Sequence, residues 1–228
     1  MTNAASMGFE TQGVSIPSDG VVLQGDLTLP ADARGLVVFA HGSGSGRLSP
    51  RNRMVARRLL EGGFSTLLLD LLTVREETLD AITRSLRFDI DFLAGRLAAV
   101  TRWVATQPRM QTLRLGYFGA STGAAAALVA AARHPGLVSA IVSRGGRPDL
   151  AGSYLRQIAA PTLLIVGGAD PAVIRLNQAA LTQLSCDMKE LKIVPGATHL
   201  FEEPGALEQV ADLAGRWFAR HLQPEARQ

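Results

Sequence analysis

Short apolar, β-branched runs alternate with longer amphipathic or alanine-rich segments along most of the 228-residue chain. A strand buries its face in a few residues, whereas a helix needs an apolar stripe recurring about every 3.6 residues. The alternation predicts an α/β fold with a mainly parallel sheet and helices on both faces. The first two runs, Gly13–Ile16 and Val21–Leu29, flank Pro17–Gly20, and Ser18-Asp19-Gly20 is turn chemistry, so they form an antiparallel hairpin. Further strands are expected at Gly35–Ala40, Ser65–Asp70, Leu113–Phe118, Val138–Ser143, Pro161–Val166 and Leu191–Val194. Helices are expected at Pro50–Glu61, Phe88–Thr106, Thr122–Arg133, Pro171–Leu184 and Pro204–Leu222, with a short one around Asp149–Ile158. Gly62-Gly63 stops the first of them. The charged stretch Leu71–Arg87 has room for one short helix and is expected to wall the site. Residues 1–12 and 223–228 read as flexible tails.

No internal repeat or low-complexity linker divides the chain, and 228 residues fit one core, so a single domain without a separate lid domain is expected. With 47% hydrophobic and 19% charged residues the chain can bury a sizeable core, which excludes disorder. The net charge is +3, and the only lysines are Lys189 and Lys192. The arginines are spread among acidic residues with no basic block, which argues against a nucleic-acid partner. Cys186 stands alone, so no intrachain disulfide forms, and no Cys or His beside it suggests a metal. The first residues lack the basic and apolar regions of a secretory signal. The most apolar stretch, Gly116–Ala132, contains Ser121, Thr122 and glycines, as a buried strand–turn–helix would, and is not a membrane span. A cytoplasmic location is the resulting expectation, with a small-molecule substrate and no membrane partner.

The chemistry centres on Gly119-Ala120-Ser121-Thr122-Gly123, a G-x-S-x-G sequence with an apolar strand before it and an alanine-rich helix after it. A strand-to-helix turn this sharp strains the serine and holds its oxygen at the top of the sheet. A serine hydroxyl needs a base to take its proton and a third group to orient that base. Of the four histidines, His199 alone follows a late strand on the side where Ser121 emerges. His134 and His221 sit at helix ends, where a dipole role suffices. Asp170, just past the strand ending at Val166, is the expected acid; an N-cap role would also explain it, and Asp149 is the reserve. Two backbone donors for a developing oxyanion are expected from Thr122 and from Ser43, with Gly44 second, in the loop His41-Gly42-Ser43-Gly44-Ser45-Gly46. His41, Gly42 and Gly44 are also candidates to touch substrate. Arg144 and Arg147 follow a strand toward the same end and are candidates to grip a substrate anion, against a simple ion pair with Asp149. Arg51 and Arg53 have weaker claims. The glycine loop is not a dinucleotide fingerprint, because Arg47 occupies the place of the third glycine.

These segments, His41–Gly46, Gly119–Gly123, Gly167–Asp170 and Gly196–His199, resemble the α/β-hydrolase superfamily, and within it the dienelactone-hydrolase-like branch. The resemblance runs from the hairpin to the last helix. It implies hydrolysis without a cofactor, with Ser121, Asp170 and His199 as triad. Dienelactone hydrolases proper carry a cysteine nucleophile; Ser121 in that place favours a serine esterase acting on small esters, lactones or thioesters. The stretch His41–Asn52 also resembles uncharacterised hydrolases, some fused to a phosphoribosyltransferase domain with no counterpart here. Acyl transfer by the same triad, or ligand binding without turnover, are the alternatives.

Overall fold

The computed structural model describes residues 9–222. Within them one sheet of eight strands runs in the order β1-β2-β4-β3-β5-β6-β7-β8. The strands are β1 Thr11–Ser18, β2 Val21–Thr28, β3 Leu36–Ala40, β4 Ser65–Leu69, β5 Leu115–Ala120, β6 Ala140–Arg144, β7 Thr162–Gly167 and β8 Lys189–Val194. β1 and β2 form the expected hairpin, turned by Asp19 and Gly20, both at positive φ. β2 joins β4 antiparallel, and every pairing from β4 through β8 is parallel. Edge strand β8 carries both of the chain's lysines, Lys189 and Lys192, a charge that discourages further strands from adding there.

The helices are α1 Pro50–Glu61, α2 Val74–Thr83, α3 Ile90–Thr106, α4 Thr122–Arg133, α5 Pro171–Gln183 and α6 Ala206–His221. α1 and α6 cover one face of the sheet, where Val55, Leu59, Val210 and Phe218 meet Val37, Phe39, Phe118 and Val142. On the other face α3, α4 and α5 pack against Val38, Leu67, Tyr117 and Ile141. α4 is buried along nearly its whole length. A helix with no polar face belongs inside, and its alanines let it lie close to β5.

Several boundaries differ from the sequence reading, four of them with a visible cause or consequence. β1 starts at Thr11, whose hydroxyl meets that of Thr28 at 2.8 Å, so Thr11 and Gln12 belong to the sheet; residues 1–8 and 223–228 of the expected tails lie outside the described residues. Leu86–Phe88 is a separate 3-10 turn, because the Asp89 side chain accepts from Phe92 N–H and caps α3 at Ile90. Pro148–Gln157 is 3-10 helix broken at Gly152. β8 begins two residues early, at Lys189, which pairs with Thr162. Among the described residues no helix is long and apolar enough to cross a membrane.

From β3 the chain steps one way to β4, and later returns to add β5 on the other side. The loops leaving β3 and β5 therefore diverge and open a crevice at the carboxyl ends of these strands, where open α/β sheets bind ligands.

Candidate active site

Ser121 sits between β5 and α4 at φ 51° and ψ −121°, a conformation that non-glycine residues seldom adopt. The surroundings hold it there. Its N–H donates to the Arg144 carbonyl (3.2 Å), and its own carbonyl accepts from Ala124 N–H and Arg147 N–H (both 3.1 Å). Gly123 makes the turn possible: a Cβ there would stand 2.3 Å from the Ala40 carbonyl oxygen and 2.4 Å from that of His41. The loop after β3 lies against the serine, since a Cβ on Gly42 would come within 2.9 Å of Ser121 Cβ.

His199 and Asp170 meet as expected. His199 Nδ1 and Asp170 Oδ2 are 2.9 Å apart, with the aspartate side chain mostly buried. The loops carrying them are stitched together by Gly168 N–H to Val194 carbonyl (2.8 Å) and Ala169 N–H to Ala197 carbonyl (2.9 Å). Asp170 also caps α5, its Oδ1 accepting Val173 N–H at 3.3 Å. Capping and histidine orientation therefore use different oxygens of one carboxylate. Asp149 is bound instead by Arg147, in two hydrogen bonds of 2.9 and 2.7 Å. Among the described residues no hydrogen bond joins Ser121 Oγ to His199. Active-site hydrogen bonds are often long before substrate binds.

Ser43 and Thr122 face each other across the crevice, their hydroxyls 3.1 Å apart. Thr122 is the first residue of α4, so its N–H has no acceptor within the helix. Both residues line a cavity of about 520 Å³, together with Arg51, Leu71, Leu72 and Leu93. Ser121, Asp170 and His199 are not among its lining residues. The segment Leu71–Arg87 borders this cavity through α2 and the 3-10 turn, which contribute Glu77, Asp80, Ala81 and Arg87. Burial, and then the negative charge of Asp70, raises the Glu77 pKa against the pull of Arg47. Burial alone would raise the Asp80 pKa, but hydrogen bonds from the Arg87 side chain and the Arg87 and Leu86 amides hold it below the usual range.

Of the remaining candidates, Gly44 is exposed at positive φ in the loop. His41 borders the cavity, but both its nitrogens are engaged. Nδ1 donates to the Gly42 carbonyl and Nε2 accepts Leu71 N–H, each at 2.9 Å. Burial pushes its pKa down, against the Gly42 hydrogen bond and the Asp70 charge, so the ring is held neutral. Asp70 was not singled out from sequence, yet it anchors the glycine loop: Arg47 N–H donates to it at 2.7 Å and the Arg47 guanidinium pairs with it. Its position at the end of a buried strand was the available signal.

The profile of the dienelactone hydrolase family matches residues 23–223. The chain belongs to the dienelactone hydrolase family. A dienelactone hydrolase from Anabaena variabilis is 56% identical and superposes with a TM-score of 0.92, over 94% of this chain and 99% of that one. Est1E from Butyrivibrio proteoclasticus shares the fold at 17% identity, with a TM-score of 0.76 over 91% of this chain and 98% of its own. A Mycobacterium tuberculosis protein provisionally named a phosphoribosyl transferase is 56% identical over 219 residues. Those residues are 96% of this chain but 48% of that protein, so the chain spans about half the length of the curated relatives it matches. Family membership and fold support hydrolase activity.

Proposed function

We propose that this protein is a serine hydrolase that cleaves small carboxylic esters, lactones or thioesters through an acyl-enzyme on Ser121. The observations that carry this reading are a strained serine at φ 51° in the turn after β5 and a histidine–aspartate pair at 2.9 Å on the loops after β8 and β7. Ser121 Oγ attacks the carbonyl carbon while His199 Nε2 takes its proton. Asp170 accepts from Nδ1–H, fixing the tautomer that leaves Nε2 free, and stabilises the imidazolium that follows. The N–H groups of Ser43 and Thr122 hold the oxyanion, and the contact between their hydroxyls keeps the two residues in register. His199 then gives its proton to the leaving group. Water activated by the same imidazole releases the acid and restores the serine. No cofactor enters this scheme. A cavity of about 520 Å³ suits a small molecule.

A fluorophosphonate, which reacts only with an activated serine, tests this by intact mass. The wild type should gain one adduct per chain, and Ser121→Ala and His199→Ala should gain none. A folded wild type that stays unlabelled would overturn the proposal.

A further inference from the structure

Arg144 ends β6 and pairs in register with Ala120, the residue before Ser121. Its carbonyl is already committed to the serine N–H. By strand alternation its side chain follows Ala140 and Val142 toward the face covered by α1 and α6. The residue is 7% exposed, and its Nε and Nη1 are buried with no hydrogen-bond partner among the described residues. The Nε of Arg51, in the first turn of α1, is buried and unpartnered in the same way. Among the described residues Arg51 reaches only Glu202, at 3.1 Å, a side chain that is itself 63% exposed. The two guanidinium groups feel each other: burial, and then the charge of Arg51, push the Arg144 pKa down to about 10. Arg144 thus stays charged at neutral pH. Arg51 lines the same cavity as Ser43 and Thr122.

A buried Arg144 guanidinium with donors unmet, beside the charge of the partly exposed Arg51, opposes folding; an apolar side chain at position 144 would fill the space at less cost. An anion reverses the balance, because each guanidinium offers a planar fork matched to paired oxygens. The N-terminus of the 12-residue α1 adds its positive dipole end at the same place. A doubly charged oxyanion that displaces the exposed Glu202 carboxylate from Arg51 would meet both guanidinium charges, where a single carboxylate would meet one.

We propose that Arg51 and Arg144 form an oxyanion subsite beside Ser121, and that the ester this protein hydrolyses carries a phosphate dianion. The hydrolytic half rests on the serine-hydrolase reading above; the binding half does not. Melting curves of the full chain with inorganic phosphate, against sodium chloride at matched ionic strength, test the binding half. Phosphate should stabilise the wild type with a saturating dependence. Arg51→Gln, a substitution at a partly exposed position, should weaken that binding by roughly tenfold or more. Arg144→Gln should do the same, with Arg144→Lys keeping part of the binding; if neither Arg144 variant folds, Arg51→Gln decides. With matched acyl esters, the kcat/KM preference for a phosphate-bearing over a neutral chain should fall by roughly tenfold in Arg51→Gln. Equal phosphate binding by wild type and Arg51→Gln, or stronger stabilisation by acetate than by phosphate, would overturn the assignment. Fluorophosphonate labelling separates the two readings. A labelled protein blind to phosphate refutes the subsite alone, and an unlabelled protein that binds phosphate refutes the hydrolase alone.

Discussion

His41→Ala measures what holds the glycine loop in place. The substitution takes the acceptor from Leu71 N–H, on a residue that is 0% exposed. A buried donor left unmet costs about 1–3 kcal/mol. Loss of the packed ring adds a cavity term, giving about 2–4 kcal/mol in all. Urea unfolding near neutral pH reads this directly, as a shift in midpoint at constant slope. His41→Gln, whose amide oxygen reaches about as far as Nε2, should recover about 1–2 kcal/mol. The pH dependence has a definite sign. Burial lowers the folded pKa of His41 below its ordinary 6.5, so under acid conditions the unfolded chain takes up the proton first. The stability due to neutral His41 is complete above that value and declines as pH falls from there toward the lowered folded pKa. His41→Gln lacks this titration, so the gap between it and the wild type should shrink on acidification. A gap that widens, or an alanine variant within about 0.5 kcal/mol of wild type, would refute a structural role for the ring.

Asp170→Asn should separate the two duties of one side chain. Asparagine still caps α5, so stability should move by less than about 1 kcal/mol, while the lost tautomer control should cut turnover by about 10³–10⁴, read by ester kinetics beside a melting curve. Gly123→Ala meets backbone oxygens at 2.3 and 2.4 Å and should cost about 3 kcal/mol or leave no soluble protein, as judged by urea unfolding. Arg147→Ala breaks a partly exposed ion pair with Asp149 but keeps the N–H that holds Ser121, so unfolding should register no more than about 1 kcal/mol.

The sheet and the serine turn were legible because their signals are local. A strand, a G-x-S-x-G turn and an alanine helix are contiguous in the chain, as are the glycines that shape the loops around Asp170 and His199. The role of His41 was not legible. A histidine opening a glycine loop looks like a ligand-facing group, and only the packing of Leu71 behind it, 30 residues on, occupies its second nitrogen. An ion pair with Asp149 was readable as an alternative for Arg144 and Arg147 alike; that Arg147 takes it depends on how the chain turns at Gly145 and Gly146. α2 was faint because it has no inward apolar stripe. Asp80 is its one buried residue, while Val74 and Ile82 face outward, 79% and 82% exposed. A Thr73–Glu76 capping box and ion pairs through Glu76 and Asp80 define that helix instead, and such ties carry no hydrophobic period.

The placement of both lysines on the edge strand gives the molecule a chemical handle. All other basic side chains are guanidinium groups or imidazoles, so amine-directed reagents address β8 and the chain's own α-amino group. Lys189 donates to the Leu184 carbonyl at 2.5 Å, whereas Lys192 is about half exposed beside Glu190. Of the two lysines, Lys192 should therefore be the one an activated-ester resin captures. Molecules tethered through that lysine would share one orientation, with the β1 hairpin at the far end of the sheet and the crevice between β3 and β5 clear of the support.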